Sequence, residues 1–274
     1  MSPRTLSPEL KAALKQLRLG QLIDTLPERM ALADKQGTPF EELLLMVLTD
    51  EIERRKSTAA SRRAEQADLQ PDMQLERWDK AASVRFDKRV LQELCSLRFV
   101  EEARNVVILG PVGVGKTFLA TALGHLACKG GFQVRFTRAD ALLRKLRQSR
   151  MDNSRDALMA ELCAVDLLIL DDFALEPMSR EESRDIYQLF VERTARASTV
   201  VTSNRDTAEW LAAFDDTLLA QSAIDRFQNA AYDLVIEGES YRSRLKPTVE
   251  RAGPPPQAPI VKPPHPRRKR PPVA

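Results

Sequence analysis

Val106-Val107-Ile108-Leu109-Gly110-Pro111-Val112-Gly113-Val114-Gly115-Lys116-Thr117 decides the fold. Four apolar residues, three of them β-branched, read as a short buried strand. Phe118-Leu119-Ala120-Thr121-Ala122-Leu123-Gly124 then reads as a helix. Between them, Gly110, Gly113 and Gly115 let the backbone turn tightly, so that N–H groups point inward around phosphate oxygens. The resulting cradle runs from Gly110 through Pro111, Val112, Gly113, Val114, Gly115, Lys116 and Thr117 to Phe118. Lys116 is placed to reach the β- and γ-phosphates and Thr117 to offer its hydroxyl to magnesium, with the helix dipole adding to the attraction. ATP and Mg2+ are therefore the expected ligands. A glycine-rich turn without ligand is the competing reading.

Working outward, four further runs have strand character: Phe132 to Phe136, Val165 to Leu170, Ser198 to Thr202 and Tyr232 to Ile236. The segments between them, such as Lys116 to Lys129 and Arg180 to Arg196, are long enough for crossover helices. Repeated strand–helix–strand units require a parallel sheet with flanking helices, so the expected class is α/β, with ligands at the carboxyl ends of the strands. Two motifs fall at such ends. Leu167-Leu168-Ile169-Leu170-Asp171-Asp172 closes a strand with two carboxylates. One such acid holds the metal in P-loop enzymes. That role is expected of Asp171, leaving Asp172 to orient an attacking water or accept its proton. Thr199-Val200-Val201-Thr202-Ser203-Asn204 ends in a neutral amide that can bond the γ-phosphate and the water, although Asn204 also suits a plain turn. Arg226, within Ala223-Ile224-Asp225-Arg226-Phe227, reads from spacing alone as a surface ion pair with Asp225 or another acid.

Ahead of the sheet lies a helical segment. Ser7 suits an N-cap with Pro8 behind it, and Gly20 suits the stop of that first helix. Leu22, Ile23, Leu26, Met30 and Ala33 mark a second helix. A third starts at Thr38-Pro39, with Glu41 placed as in a capping box. The expected boundaries are 1–72 for a small all-α domain, 73–247 for the ATPase domain and 248–274 for a disordered, proline-rich basic tail.

The formal charge is +3, but Lys262, Arg267, Arg268, Lys269 and Arg270 supply five positive charges, so the rest of the chain carries −2. A global positive field is excluded, and nucleic acid would have to be met by local patches. No apolar run is long enough for a bilayer, and Met1 to Lys11 has no apolar core of a leader. Cys95, Cys128 and Cys163 have no disulfide or zinc spacing. A cytoplasmic protein is expected. His125 reads as a satisfied core or surface histidine, and Trp78, Phe86 and Phe99 as packing against the sheet.

With these motifs in order, the chain resembles the AAA+ ATPases of the IstB type, helpers of insertion-sequence transposases and relatives of DnaC-like helicase loaders. The likeness covers about Leu14 to Lys246. It includes Asn105 to Pro111, the helix after the P-loop, Leu170-Asp171-Asp172-Phe173 and Gly238-Glu239-Ser240-Tyr241-Arg242. It also takes in Leu14-Lys15-Gln16-Leu17-Arg18-Leu19 and Glu51-Ile52-Glu53-Arg54-Arg55. The resemblance implies a five-stranded P-loop sheet without a full helical lid, since Pro247 and the tail leave no room for one. It implies a sensor role for Asn204, a second-sensor position for Arg242, and an arginine finger acting in trans for Arg226, hence a homo-oligomer. It also implies a DNA-directed helical insertion between the second and third strands, where Arg138, Arg144, Lys145, Arg147 and Arg150 fall; a solvated charged face is the competing reading of those residues. The function implied is an ATP-hydrolysing, DNA-binding helper of a transposase on duplex DNA. Alternatives are a helicase loader, a small-molecule P-loop kinase, for which no acceptor pocket or closing lid is found, and a scaffold that binds ATP without hydrolysing it.

Overall fold

The computed structural model describes residues 5–79, 83–229 and 231–241. The Arg242 position, the boundary at 247 and the tail at 248–274 lie outside the described residues.

Five strands form a wholly parallel sheet: β2 (Asn105–Leu109), β3 (Val134–Arg138), β4 (Leu167–Asp171), β5 (Ser198–Ser203) and β6 (Ala231–Val235). Their order is β3-β4-β5-β2-β6. All five strands expected from the sequence are present, so the α/β reading holds. Period-two alternation divides the core. Val107, Leu168, Leu170 and Val201 face one apolar layer. Val106, Ile108, Leu167, Ile169 and Val200 face the other. The first layer is covered by α7 (Ala139–Met151), α8 (Arg155–Ala164), α9 (Arg180–Arg193) and α11 (Thr217–Gln228), with the short α10 (Thr207–Trp210) alongside. The second is covered by α6 (Lys116–Gly130), α4 (Lys88–Cys95) and α5 (Arg98–Glu101). The helices α7 and α8 occupy the interval between β3 and β4.

Buried polar groups pin the sheet at its amino edge. Asn105 Nδ2 donates to the Phe227 carbonyl at 3.0 Å and its Oδ1 accepts from the Thr199 N–H at 3.0 Å, tying α11 and β5 to the start of β2. Arg193, 2 % exposed, donates to the carbonyls of Leu162, Val165 and Ser198 and to Thr199 Oγ1. It thereby closes the ends of three elements with one guanidinium.

Ahead of the sheet are α1 (Pro8–Gln16), α2 (Leu22–Gln36) and α3 (Phe40–Gln66). Ser7 caps α1 as expected, accepting from the Leu10 N–H at 3.2 Å. The stop differs: α1 ends at Gln16 and the chain turns through Arg18 at φ 57°, before Gly20 is reached. The capping box at Thr38 is also not formed. Pro39 takes the N-cap position of α3, which leaves Thr38 one residue too early for its hydroxyl to meet the first turn. A capping box does form on α9, between Ser179 and Glu182. α3 is one continuous helix whose first half packs on α1 and α2 through Leu14, Leu22 and Val47, while Ala64 reaches the second sheet layer. Just past its end, the Ala67 carbonyl accepts from the Phe136 N–H at 2.9 Å, covering the outer edge of β3. A sheet edge left open would invite pairing with another chain.

A small antiparallel ribbon lies beyond the sequence reading: β1 (Val84–Arg85) pairs with β7 (Glu237–Gly238). It brings the segment after β6 back across the phosphate loop. Among the described residues no helix is long and apolar enough to cross a membrane.

Candidate functional site

The loop after β2 requires glycine where the chain bends. Gly113 and Gly115 have φ of 85° and 98°, and Gly115 is the N-cap of α6. Space is as tight as the backbone. A Cβ on Gly113 would stand 2.1 Å from Ser240 Oγ, and one on Gly115 would stand 2.8 Å from the Trp78 ring. Trp78 also meets Phe118 edge-on at 5.3 Å. The Tyr241 N–H donates to the Gly113 carbonyl at 2.9 Å and the Ile236 N–H to the Leu109 carbonyl at 2.8 Å. The strand end, the tryptophan and the 236–241 segment therefore hold the loop from outside.

Inside the loop, Lys116 is 6 % exposed, and its Nζ donates to the carbonyls of Gly110 and Pro111, each at 2.8 Å. An ammonium that is buried needs oxygen around it, and the folded loop supplies that oxygen. One residue on, Thr117 Oγ1 donates to Asp171, at 2.9 Å from Oδ1 and 3.0 Å from Oδ2. Asp171 is 3 % exposed at the end of β4. Burial pushes its carboxyl above the usual range; hydroxyl bonds from Thr202 and Thr117 pull it down, and the neighbouring Asp172 pushes it up again. Thr202 on β5 donates to Asp171 Oδ1 at 2.6 Å and accepts from the Asp172 N–H at 3.0 Å. Sequence reading passed over Thr202, Trp78's place beside the loop and Ser240. Each meets its partner only through the folded sheet.

Asp172 turns out of the strand at φ 56° and is about one-third exposed, with Arg138 Nη2 at 3.6 Å from Oδ2. Asn204 follows β5 and is exposed. Thus Lys116, Thr117, Asp171 and Asp172 converge at the carboxyl edge of β2 and β4, and Asn204 stands at the same edge of β5. Arg226 lies apart on α11, exposed. The surface ion pair with Asp225 is not formed, and no hydrogen bond or ion pair joins Arg226 to another described residue.

The five basic residues of the insertion share β3's end and α7, yet four are engaged. Arg138 and Arg144 flank Asp140 at 3.4 and 3.0 Å. Arg147 pairs with Glu182 at 2.5 Å and Arg150 with the buried Asp185 at 2.7 Å. Lys145 is exposed and has no ion-pair partner among the described residues. His125 is satisfied, with Nε2 2.9 Å from the Gln70 carbonyl.

The profile of the IstB-like ATP binding protein family matches residues 12–248. The chain belongs to that family. Among its IstB-like relatives, an insertion-sequence protein of Mycobacterium tuberculosis named for ATP binding is 33% identical over 241 residues, covering 88% of this chain and 96% of the relative. A protein of insertion sequence IS21 from Pseudomonas aeruginosa, also named for ATP binding, is 35% identical over 238 residues, covering 87% and 90%. The crystal structure of DnaI superposes with a TM-score of 0.53 over 62% of this chain and 95% of DnaI, at 21% identity. That likeness shows a shared fold and nothing about what the protein acts on.

Proposed function

We propose that this IstB-like protein is an oligomeric, DNA-associated ATPase that serves the transposase of its mobile element and hydrolyses ATP as a switch. The observation that carries the reading is the 2.9 Å bond between Thr117 Oγ1 and the buried Asp171 carboxylate, beside the inward-held Lys116. A hydroxyl and a carboxylate, both hard oxygen donors, fit Mg2+, which keeps the rest of its shell for phosphate and water. Magnesium bound there would neutralise charge on the β- and γ-phosphates. Its positive charge would also favour the ionised form of Asp171, which burial alone disfavours.

The chain's own residues do the rest. Loop N–H groups cradle the phosphates, and Lys116 exchanges two carbonyls for phosphate oxygen. Asp172, steadied by Arg138, accepts a proton from water as that water attacks the γ-phosphorus. The products are ADP and phosphate. Asn204 orients the water through its amide, and Arg226 of a neighbouring copy stabilises charge on the γ-phosphate. Duplex phosphates would compete with Asp140 and Glu182 for Arg138, Arg144 and Arg147, next to Lys145 and Arg150. Such contact is salt-sensitive and largely independent of sequence.

Phosphate release with labelled ATP, with and without duplex DNA, tests the proposal. Release that DNA accelerates is expected. Lys116→Ala should abolish nucleotide binding, whereas Asp172→Asn should bind normally and turn over at least ~100-fold more slowly. Normal turnover by Asp172→Asn would remove Asp172 from the chemistry.

A further inference from the structure

Trp78, Phe86 and Phe118 form an aromatic group beside the phosphate loop that phosphate chemistry alone does not use. Trp78 meets Phe118 at 5.3 Å between ring centroids and Phe86 at 6.0 Å, both edge-on. Trp78 Cη2 and Cζ3 lie so close over Gly115 that a Cβ there would stand 2.8 Å from each. All three rings are half-buried. The other aromatic cluster among the described residues, Phe173, Phe190, Trp210 and Phe227, is sealed inside the first layer. There the Trp210 Nε1 donates to Ser203 Oγ at 3.2 Å, whereas the Trp78 indole N–H bonds no other described residue. Ligand pockets are lined by open aromatic surface of this kind beside a few placed polar groups.

The polarity of the cradle says which part of a nucleotide lies there. Lys116, Thr117 and Asp171 mark the end suited to the β- and γ-phosphates and the metal. Asp171 closes β4, on one side of β2 in the order β3-β4-β5-β2-β6. The aromatic group is tied to the other side. Phe86 directly follows β1, β1 pairs with β7, and β7 follows β6 in the chain. Phe118 sits in the first turn of α6, where N–H groups favour the α-phosphate. A triphosphate laid with its γ end at Asp171 therefore sends its ribose and base towards Trp78. Base rings pack well on aromatic side chains, offset or edge-on.

We infer that Trp78, backed by Phe86 and Phe118, is the base-contacting residue of the nucleotide site, and that the site takes a purine nucleoside triphosphate through its base as well as its phosphates. The inference rests on the ATP reading above and adds the group that meets the base. It also gives Gly115 a second duty, since any side chain there would displace the ring on which the base packs.

Calorimetry on the full chain separates base from phosphates when magnesium ATP is compared with magnesium tripolyphosphate, which can fill the cradle but carries no base. Trp78→Ala should weaken ATP binding by at least ~10-fold and change tripolyphosphate binding by less than about twofold. Trp78→Phe restores an aromatic wall and should recover most of the affinity for ATP. Trp78→Leu keeps apolar bulk over Gly115, guards against loss of the fold, and should show the same split between the two ligands as Trp78→Ala. Equal losses for ATP and tripolyphosphate would make Trp78 a support of the loop and nothing more. Unchanged ATP affinity would remove it from the site. Either result overturns the inference while the phosphate cradle stands. A parent chain that binds neither ligand overturns the ATPase reading itself, and the base contact with it.

Discussion

At the scale of single residues, the nucleotide loop is held as much by what surrounds it as by its own glycines. Gly113→Ala would meet two separate obstacles, the positive φ and the Ser240 hydroxyl. A left-handed alanine costs about 1–2 kcal/mol, and the collision adds to it. The expected result is a lower unfolding temperature and weaker nucleotide binding. Adding Ser240→Gly should recover part of the loss, since only the collision is relieved; full recovery would mean that the backbone term is negligible. Thr202 gives a second prediction. Thr202→Val removes the only hydroxyl that β5 gives Asp171 among the described residues, and strands the Asp172 N–H. Turnover should fall by about tenfold, with a smaller change in binding of metal-free ATP, read by phosphate release and calorimetry. The loop and Asp171-Asp172 were legible in the sequence because each is contiguous and punctuated by its strand. Thr202 and Ser240 were not. Their partners lie 31 and 127 residues away in the chain, and only parallel pairing of β4 with β5 and the return of β7 bring them in.

At the scale of elements, one guanidinium carries an unusual share of the sheet. Burial lowers the Arg193 pKa to about 10, and its acceptors are three carbonyls and a hydroxyl rather than an acid. Arg193→Met keeps the volume but leaves those carbonyls dry and unpaired. A loss of about 3 kcal/mol is expected in denaturant unfolding. A loss below about 1 kcal/mol would mean that water replaces the arginine. The helical segment offers a pH test. Hydrogen bonds from Arg54 and then Arg55 hold the Glu51 carboxyl down to about 2, although burial opposes them. A carboxyl depressed in the folded state adds stability above its unfolded value of 4.5, and that contribution drains away as pH falls towards about 2. The two arginines are half-exposed and screened, so Glu51→Gln should cost only about 1 kcal/mol at neutral pH. The difference from the parent should vanish in acid. Strands were read correctly because each carries apolar or β-branched residues over a short span, continuous in β2 and in Leu167–Leu170 of β4 and interrupted by Arg135 in β3 and Asp233 in β6. Caps were harder. Thr38-x-x-Glu41 and Ser179-x-x-Glu182 have the same pattern, and what separates them is Pro39, which occupies the cap position itself. The two-residue ribbon of β1 and β7 carries no period for a sequence to display.

At the scale of the whole molecule, Arg226 poses the sharpest question. Its side chain is exposed on α11 and unpaired among the described residues, while the P-loop of the same chain is assembled from β2, β4 and β5. If Arg226 acts across a subunit boundary, the defect of one variant must be curable by another. Arg226→Ala keeps an intact cradle but offers its neighbour no finger. Asp172→Asn offers a finger but cannot activate water. Each should hydrolyse ATP at least ~100-fold more slowly than the parent. Mixed in equal amounts, they create interfaces in which an intact cradle faces an intact arginine. In a randomly mixed assembly about a quarter of interfaces have that composition, so phosphate release should climb to a substantial fraction of the parent rate. Three readouts separate the possibilities. Recovery on mixing requires action in trans. An inactive mixture whose components still co-assemble in sedimentation would place the arginine's effect within its own chain. An Arg226→Ala variant with parental turnover would make the residue an ordinary surface charge.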